Sequence, residues 1–476
     1  MNEKNVSSTH VTVIGGGPGG YAAAFAAAGL GLQVTLIDKE ANPGGVCLYR
    51  GCIPSKALLH VSKILTEARE AGHWGIHYTE PKIDVDRLRE AKNEVVQKMT
   101  SGLGQLAKSH KITYIQGRAN FESAQVIKVT PENGHEQVLK TDYTILAAGS
   151  RPAGLPNLYG ESARILNSTG ALDLKRVPKS MLVIGGGYIG LELGQVYATL
   201  GTQVTVVEMM PTLLPGADPD LVKPLAARCQ HLFHDILLET KVADIKPTQR
   251  NVKVRFEGKN IADAERTFDQ VLVSIGRKPN SSGLGLDNTK VRVNDKGFVI
   301  VDAQRRTDDP HIFAIGDIAG EPMLAHKATA EGRVAAEVIA GHNTAFAPNA
   351  IPAVVFTDPE VAWCGVTETE AKKKGLDVQV TRFPWQASGR ATTLHRNDGL
   401  TKLICDVESN QVIGVGIVGA GAGELIAEGV LAVEMGAMAQ DVALSIHPHP
   451  TLSETVMESA EMIFGSPTHM YRPKKK

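Results

Sequence analysis

Short apolar, β-branched runs that end in glycine-rich turns mark the beginning of the chain. The run Val11–Ile14 is one of them, and runs of this length and composition are typical of buried strands. It leads into a glycine turn at 15–20, and the alanine-rich segment 21–28 after it predicts a helix packed closely on a sheet. A second apolar run, 34–37, ends at Asp38. The pattern predicts a strand, turn, helix and strand closed by an acidic residue.

The same pattern returns 170 residues later, counted from Gly15 to Gly185. An apolar run at 181–184 precedes the second glycine turn, and a later apolar run ends at Glu208. In each copy the acidic residue lies 23 positions after the first glycine of the turn. One such turn can match by chance, but a repeat in the same register indicates a duplicated unit.

Both turns have the spacing G-x-G-x-x-G, which is typical of dinucleotide binding. The glycines allow a tight turn, a close approach of the backbone to a pyrophosphate, and close packing of the helix. The helix N-terminus supplies free N–H groups for the phosphates, and the acidic residue can accept hydrogen bonds from ribose hydroxyls. The sequence therefore predicts two dinucleotide sites, with the candidate residues Gly15, Gly17, Gly20, Asp38, Gly185, Gly187, Gly190 and Glu208.

The rest of the chain divides around these two units. The apolar segments 143–148 and 271–275 are each followed by glycine, arginine and proline, as expected where one nucleotide-binding half passes to the next. A third apolar strand ends at Asp317, where a carboxylate can reach a cofactor, although a capped helix start is the commoner meaning of such a residue. From about residue 351 the glycine turns stop, and a β-type run at 412–418 precedes a helical pattern.

Composition and charge exclude several classes of protein. The chain has 50 Lys and Arg against 51 Asp and Glu, so a general basic surface for nucleic acid or an anionic membrane is not expected. The hydrophobic and charged fractions are 43% and 21%, which excludes a largely disordered chain. There is no apolar run of about 18 residues, and the polar segment 1–10 does not resemble a signal peptide. We expect a cytoplasmic protein without a membrane span.

Two of the five cysteines, Cys47 and Cys52, lie close together in the glycine-flanked segment 44–56. Such a pair can ligate a metal, form a structural disulfide, pack in a core, or form a redox-active disulfide. Zinc needs four ligands and no second cluster matches, and a reducing cytoplasm disfavours a structural disulfide. Arg50 and Lys56 favour the thiolate, so a redox-active pair without a metal is predicted. The three other cysteines are expected in the core: Cys229, Cys364 and Cys405.

Near the end of the chain the segment 447–454 reads His-Pro-His-Pro-Thr-Leu-Ser-Glu. A histidine between prolines is more often a surface loop residue than a catalyst. Here Glu454 lies five positions after His449, where a turn into a helix can bring its carboxylate to the imidazole. A histidine oriented in this way suits general base catalysis of a thiol reaction near neutral pH.

Taken together, these motifs resemble the dihydrolipoamide dehydrogenase family of pyridine nucleotide–disulfide oxidoreductases over essentially the whole chain. The resemblance implies an α/β fold with two Rossmann-like dinucleotide-binding domains and a C-terminal α+β dimerisation domain. It also implies the boundaries: an FAD-binding domain at 1–150, an NAD-binding domain at 151–279, a central domain completing the FAD site at 280–350, and a dimerisation domain at 351–476. The segments that carry it are 15–20, 44–56, 185–190, 313–317, 323–326 and 447–454.

The resemblance implies FAD at the first site, with Asp38 on the adenosine ribose, and NAD at the second site, with Glu208 in the same role. The sequence agrees independently, because Glu208 repels the 2′-phosphate of NADP and no Lys or Arg follows it until Lys223. Asp317 is implied near the ribityl chain of the flavin. The other cofactor-binding residues implied are Lys56, Ala119, Gly149, Ala325, Val242 and Gly276.

The resemblance also implies a reaction cycle. A dihydrolipoyl thiol, deprotonated by His449 paired with Glu454, attacks Cys47 of a Cys47–Cys52 disulfide, and the second substrate thiol resolves the mixed disulfide. The Cys52 thiolate then passes electrons to the flavin, which reduces NAD⁺, with Lys56 near the flavin and paired with Glu192. In the family the histidine and glutamate serve the neighbouring subunit's disulfide, so a homodimer is implied.

The implied partners are lipoyl domains and the core acyltransferase of 2-oxoacid dehydrogenase complexes, or the glycine cleavage system. Glutathione reductase is an alternative that Glu208 disfavours, and mercuric reductase usually carries a C-terminal cysteine pair that the segment 466–476 lacks. A non-catalytic nucleotide-binding scaffold has no need of the cysteine pair and the histidine–glutamate pair together. One local departure is Tyr49-Arg50 between the cysteines, for which we hypothesise a modest change in disulfide potential.

Overall fold

The computed structural model describes residues 9–131, 134–155, 162–259, 263–465 and 467–471. Part of the polar start of the chain, residue 466 and the basic end 472–476 lie outside these ranges. The helices in the described ranges are α1 Pro18–Gly29, α2 Gly45–Arg50, α3 Cys52–Glu70, α4 Val85–Ser109, α5 Ser168–Leu172, α6 Tyr188–Thr199, α7 Pro219–Leu232, α8 Ala325–Ile339, α9 Glu368–Lys374, α10 Gly389–Thr393, α11 Ala422–Glu434, α12 Ala439–Leu444 and α13 Glu454–Glu461.

Five sheets accompany these helices in the described part of the chain. Their strands are β1 His10–Ile14, β2 Gln33–Asp38, β3 Thr113–Ser123, β4 Val126–Pro131, β5 Gln137–Lys140, β6 Tyr143–Leu146, β7 Ser150–Pro152, β8 Ile165–Leu166, β9 Ser180–Ile184, β10 Gln203–Val207, β11 Asp235–Leu237, β12 Thr240–Pro247, β13 Val252–Gly258, β14 Glu265–Phe268, β15 Gln270–Val273, β16 Arg277–Pro279, β17 Ile312–Ala314, β18 Ala353–Val355, β19 Glu360–Gly365, β20 Val378–Pro384, β21 Leu400–Asp406 and β22 Val412–Gly419.

The first sheet has the order β17-β6-β1-β2-β3-β4-β5, and β17, β6, β1, β2 and β3 run parallel. Strand β1, the middle one of the five parallel strands, is fully buried at Val11 and Val13, as its apolar sequence predicts. The backbones of helices α1 and α8 are in close contact, because a Cβ at Gly332 would lie only 2.6 Å from the carbonyl oxygen of Gly19. The segment after the second unit thus returns to the first sheet through β17. The division into four regions itself stays a prediction.

The second sheet repeats the arrangement with the order β11-β10-β9-β15-β8, and every pairing in it is parallel. The glycine turn again follows the central strand, β9, and precedes a helix, α6. A three-stranded antiparallel sheet, β12-β13-β14, packs its apolar side on this unit through Val254 and Phe256. The predicted pair of doubly wound units is therefore confirmed.

Two short strands, β7 and β16, join the two units as an antiparallel ribbon. The chain leaves the first unit along β7 and returns along β16, with Arg151 opposite Lys278. Immediately beyond the ribbon the N–H of Ala153 donates to the carbonyl oxygen of Gly276 at 2.9 Å. The outgoing and returning segments therefore lie side by side.

The C-terminal region is an antiparallel sheet of order β18-β19-β22-β21-β20 with helices packed on it, which confirms the predicted α+β character. Its core contains Trp385, fully buried against two glycine positions: a Cβ would lie 2.1 Å from its ring at Gly399 and 2.3 Å at Gly419. Cys364 and Cys405 lie in the same core and Cys229 in that of the second unit, as expected. Within the described ranges we find no helix that is both long and apolar enough to cross a bilayer.

A buried ionic cluster ties the second unit to the C-terminal sheet. The ammonium of Lys402, whose side chain is 1% exposed, lies 2.7 Å from both Asp218 and Asp220 and 3.5 Å from Glu368. Burial opposes ionisation of the two aspartates, but hydrogen bonds from Lys402, with those from Glu368 and Thr369 to Asp218 and from Arg382 to Asp220, hold their pKa values below the usual range. The lysine thus balances carboxylates from two parts of the chain.

We expect Lys402→Met to destabilise the fold by about 3 kcal/mol, because it leaves the buried Asp218 carboxylate without its counter-charge. The apparent unfolding temperature at neutral pH measures this loss. The lowered pKa values mean that the stabilisation is present above the unfolded pKa, near pH 4, and disappears as the pH falls further. Asp220→Asn is the matched control, because it leaves Lys402 paired with Asp218. Equal stability of Lys402→Met and the wild type would refute the role assigned to the cluster.

Candidate active site

The first glycine turn forms one wall of a cavity that also contains the cysteine pair. A Cβ at Gly15 would lie 2.3 Å from the carbonyl oxygen of Ala147, and one at Gly20 would lie 1.8 Å from that of Gly15. The backbone of the turn is therefore packed too closely for a side chain at either position. Gly17 has open space where its Cβ would be, and it faces the cavity. An exposed backbone at the start of α1 is what a pyrophosphate group requires, and the turn therefore fits FAD.

The second glycine turn has the same construction. A Cβ at Gly185 would lie 2.5 Å from the carbonyl oxygen of Ser274, and one at Gly190 would lie 2.1 Å from that of Gly185. Gly187 is again open at the start of a helix, so the turn fits the pyrophosphate of NAD. Tyr188, the first residue of α6, reaches the cavity of the first turn. The two nucleotide sites therefore approach each other across one cavity.

The two acidic residues predicted to hold ribose hydroxyls adopt equivalent positions. Asp38 accepts from the N–H of Gly16 at 2.5 Å and from that of Glu40 at 2.9 Å. Glu208 accepts from the equivalent N–H groups of Gly186 at 2.7 Å and Met210 at 2.9 Å. Burial raises the pKa of Asp38 despite these donors. Each carboxylate is thus fixed by the backbone at the edge of its glycine turn.

The cysteines are placed by two helices that meet at Gly51. Helix α2 begins at Gly45, where a Cβ would lie 2.5 Å from the Cα of Gly17, so it packs directly on the first glycine turn. Helix α3 begins at Cys52. Both cysteines are thiols in this structure and both line the cavity. Cys47 thus lies in the first turn of α2, and Cys52 is the first residue of α3.

The two thiols differ in acidity. The hydrogen bond with Cys47 lowers the pKa of Cys52 to about 7 against the opposing effect of burial, and the charge of Lys56 lowers it further. The same hydrogen bond, together with burial, raises the pKa of Cys47 far above the ordinary thiol value. A reduced pair near neutral pH therefore holds its negative charge on Cys52 and its proton on Cys47.

Lys56 lies one turn into α3 and binds Glu192 of α6, with its ammonium 2.8 and 3.0 Å from the two carboxylate oxygens. The ammonium also lies 4.4 Å from the ring centre of Phe356. Glu192 in turn accepts from the N–H of Phe356 at 3.0 Å. Three parts of the chain thus hold a positive charge beside the thiols, and the pairing of Lys56 with Glu192 is present as the resemblance implied.

Asp317 lies in a helical turn just after β17, at the carboxyl edge of the first sheet. Its carboxylate accepts from the hydroxyl of Ser150 at 2.5 Å, and that hydroxyl accepts from Arg277 at 2.7 Å. The N–H of Gly316 donates to the fully buried Glu331 at 2.6 Å. Sequence reasoning missed Ser150, Arg277 and Glu331 as site residues, although Arg277 follows the repeated strand-and-glycine pattern that it did notice.

The remaining cofactor candidates lie at different distances from the cavity. Gly149 and Ala325 line it. Ala119 is a core residue of β3, Val242 packs beside the core of the second unit, and Gly276 precedes β16; none of these three is among the residues that line the cavity. Their roles in binding stay predictions.

Arg50 forms an ion pair with Glu40 on the side of the cavity near Asp38. Its charge acts on Asp38, whereas the charged groups acting on the thiols are Lys56 and Glu192. Arg50 lines the same cavity as both cysteines, and its influence on the thiolate and on the disulfide potential stays a prediction.

His449 and Glu454 form the predicted pair at the start of α13. The imidazole Nδ1 lies 2.8 Å from one carboxylate oxygen, and the other oxygen accepts from the N–H of Thr451 at 2.7 Å. Burial opposes ionisation of Glu454, but Thr451 and His449 hold its pKa below the usual range. The pair lines a second, smaller pocket that shares no residue with the cysteine cavity of the same chain. The structure thus brings His449 to Glu454 but does not bring it to the cavity of Cys47 within one chain.

Comparison with known proteins gives a consistent result. The profile of the pyridine nucleotide-disulphide oxidoreductases matches residues 9–332, and that of their dimerisation domain matches residues 351–460. The dihydrolipoyl dehydrogenase of Haemophilus influenzae is 48% identical over 468 residues, which cover 98% of each chain. The chain belongs to the pyridine nucleotide-disulphide oxidoreductases. The resemblance to dihydrolipoamide dehydrogenases inferred from the motifs is therefore confirmed.

Two solved structures are similar over the whole family fold. LpdA from Mycobacterium tuberculosis has a TM-score of 0.89 at 28% identity and covers 96% of this chain and 99% of its own. The HOCl-induced flavoprotein disulfide reductase RclA from Escherichia coli has a TM-score of 0.84 at 26% identity, covering 95% and 100%. The family membership identifies the chain as an FAD-dependent oxidoreductase that uses FAD and NAD, and the two glycine turns fit these groups.

Proposed function

We propose that this protein oxidises dihydrolipoyl groups to the cyclic disulfide and reduces NAD⁺ to NADH. The observation that carries the proposal is the pair of cysteines, Cys47 and Cys52, in one cavity with the first glycine turn and with Tyr188 of the second. The names of relatives that are 41–48% identical support the substrate. They also favour this reaction over that of a glutathione or mercuric reductase.

The chemistry begins from the oxidised pair. A substrate thiolate attacks the sulfur of Cys47, the bond between the two cysteine sulfurs breaks, and Cys52 leaves as a thiolate. The second substrate thiolate then attacks the substrate sulfur of the mixed disulfide, which releases the cyclic disulfide and leaves both cysteines reduced. Two electrons have moved from the substrate to the cysteine pair. When bound, FAD carries this electron pair from the thiols to NAD⁺.

The roles of the two cysteines follow from their surroundings. A thiol of low pKa is the better leaving group in disulfide exchange, and the pKa of Cys52 is lowered to about 7 by Cys47 and Lys56. The high pKa of Cys47 returns a proton to it after exchange. We therefore assign the attacked sulfur to Cys47 and the charge on the reduced pair to Cys52.

We assign the removal of the substrate thiol proton to His449, oriented by Glu454. In one chain these residues lie in a pocket separate from the cysteine cavity, and the chain contains the family's dimerisation domain. Both facts support an active homodimer in which His449 of one subunit serves the cysteines of the other. We further propose that lipoyl domains and the core acyltransferase of 2-oxoacid dehydrogenase complexes are its partners, in the cytoplasm; the names of its relatives support these partners.

The decisive experiment measures NADH formation by the purified, flavin-loaded protein with dihydrolipoamide and NAD⁺, and with NADP⁺ as control. Turnover with NAD⁺ is expected, and much less with NADP⁺, because the carboxylate of Glu208, held at the edge of the second glycine turn, repels a 2′-phosphate. Glu208→Ala is the matched variant, and we expect it to reduce the preference of the enzyme for NAD⁺ over NADP⁺. Flavin-loaded protein that forms no NADH from dihydrolipoamide would refute the proposed substrate.

A further inference from the structure

A second histidine–glutamate pair, which the sequence analysis did not notice, lies beside the first. The Nδ1 atom of His469 is 2.5 Å from Oε1 of Glu458, and the backbone N–H of His469 donates to Oε2 of the same carboxylate at 3.2 Å. The Glu458 side chain is 2% exposed, whereas that of His469 is 49% exposed. A buried carboxylate is therefore held by an imidazole at the surface.

The two pairs form a small array on α13. Glu454 and Glu458 are four residues apart and so lie one above the other on the helix. The imidazoles of His449 and His469 are nearly parallel, at 13°, with their ring centres 6.4 Å apart. All four side chains line one pocket, whose other lining residues are uncharged: Phe383, Ala387, Ser388, Gly389 and Thr455.

The charges of this array follow from burial. A carboxylate as deeply buried as that of Glu458 requires a positive partner, and the described hydrogen bonds to it come from His469. His469 is therefore the residue placed to supply that positive charge. Its charge reaches the first pair as well, because His469, together with Thr451 and His449, holds the pKa of Glu454 low against the opposing effect of burial.

The geometry brings this charge close to His449. Both Nδ1 atoms bond to carboxylates of α13, and the two rings are nearly parallel with their centres 6.4 Å apart. The N–H of Thr468 donates to Glu461 at 3.1 Å and so holds this part of the chain on the helix. His447 bonds to Glu428 of α11, which lies outside the pocket lining.

We propose that His469, held by Glu458, is a positioning residue that disfavours a second positive charge on His449 and so keeps that imidazole free to accept the substrate proton near neutral pH. The inference deepens the proposed function and rests on it, since that function makes His449 the base. Nothing in the reaction requires His469 to touch the substrate. It acts through His449 alone.

The test is a pH titration of the histidine ring signals by NMR, on flavin-loaded protein with ¹³C-labelled histidine, with the His449 signal assigned by its loss in His449→Gln. His469→Asn is expected to raise the titration midpoint of His449 by roughly half a pH unit, the effect of one charge at about 6 Å in a water-like medium. His469→Lys, which keeps the charge, is expected to retain the wild-type midpoint. The shift is expected to shrink in 1 M salt, because exposed charges are screened.

The pH profile of kcat/KM for dihydrolipoamide gives a second measurement, whose acid limb is expected to move with the NMR midpoint. His311→Asn, in the first unit, controls for the loss of a histidine as such. An unchanged midpoint in His469→Asn would overturn the inference, and so would equal shifts in His469→Asn and His469→Lys, which indicate a structural role. Wild-type protein that forms no NADH would instead contradict the proposed function, and the NMR titration would still decide the inference.

Discussion

Cys47→Ser is expected to lower NADH formation from dihydrolipoamide by about 10⁴-fold or more, because a serine cannot form the mixed disulfide on which the exchange depends. The folded structure should survive, since Cys47 lies in a cavity and its replacement differs by one atom. The rate of NADH formation measures the loss. The reverse flow of electrons from NADH to an artificial acceptor does not need the cysteines and should remain. Intact thiol oxidation in Cys47→Ser would contradict the disulfide mechanism.

A matched control for that variant is Cys405→Ala, which removes a thiol from the C-terminal core. Burial raises the pKa of Cys405 to about 12, so this thiol carries no charge near neutral pH and takes no part in exchange. A further measurement on the reduced wild type is the rate of alkylation of Cys52. This rate should rise as the pH passes about 7, and Lys56→Met should move the rise to higher pH because it removes a stabilising positive charge.

His449→Gln is expected to slow reduction of the protein by dihydrolipoamide by about 10²- to 10⁴-fold, the usual contribution of a general base. Reoxidation of the reduced protein by NAD⁺ should change far less, because the base acts on the substrate thiol only. Rapid mixing of each half-reaction separately, followed by flavin absorbance, measures the two rates. Equal losses in both would count against the base role.

The graded variant for this prediction is Glu454→Gln. Its amide oxygen still accepts from His449, but the charge that favours the protonated ring is lost. The expected loss is therefore smaller than that of His449→Gln and is confined to the same half-reaction. A loss as large as that of His449→Gln would mean that Glu454 does more than orient the imidazole.

The parts of the molecule that sequence reasoning predicted are those in which chemistry and spacing lie close together along the chain. The strand, glycine turn and helix around Gly15 and Gly185 depend on neighbouring residues, and so does the approach of Glu454 to His449, five positions away. A local pattern of this kind is visible in a single sequence because backbone conformation and side-chain type are both determined within a few residues.

The parts that it missed depend on contacts between distant residues. Ser150 reaches Asp317 across 167 positions, and Lys402 reaches Asp218 across 184. The residues that flank a serine or lysine in a strand do not indicate that its side chain has such a distant partner. His469 is closer to Glu458, at eleven positions, but the segment between them has no periodic pattern, and its fold against α13 is a property of the whole C-terminal region.

The ribbon formed by β7 and β16 makes the second unit an insertion into the first. Because the chain departs and returns through hydrogen-bonded neighbours, with Ala153 bonded to Gly276, the inserted segment begins and ends at one point of the host. The host sheet, including β17, can therefore be completed whatever lies between those two residues. Such an arrangement anchors the second unit at one point of the first, where Tyr188 at the start of α6 reaches the cavity of the first glycine turn.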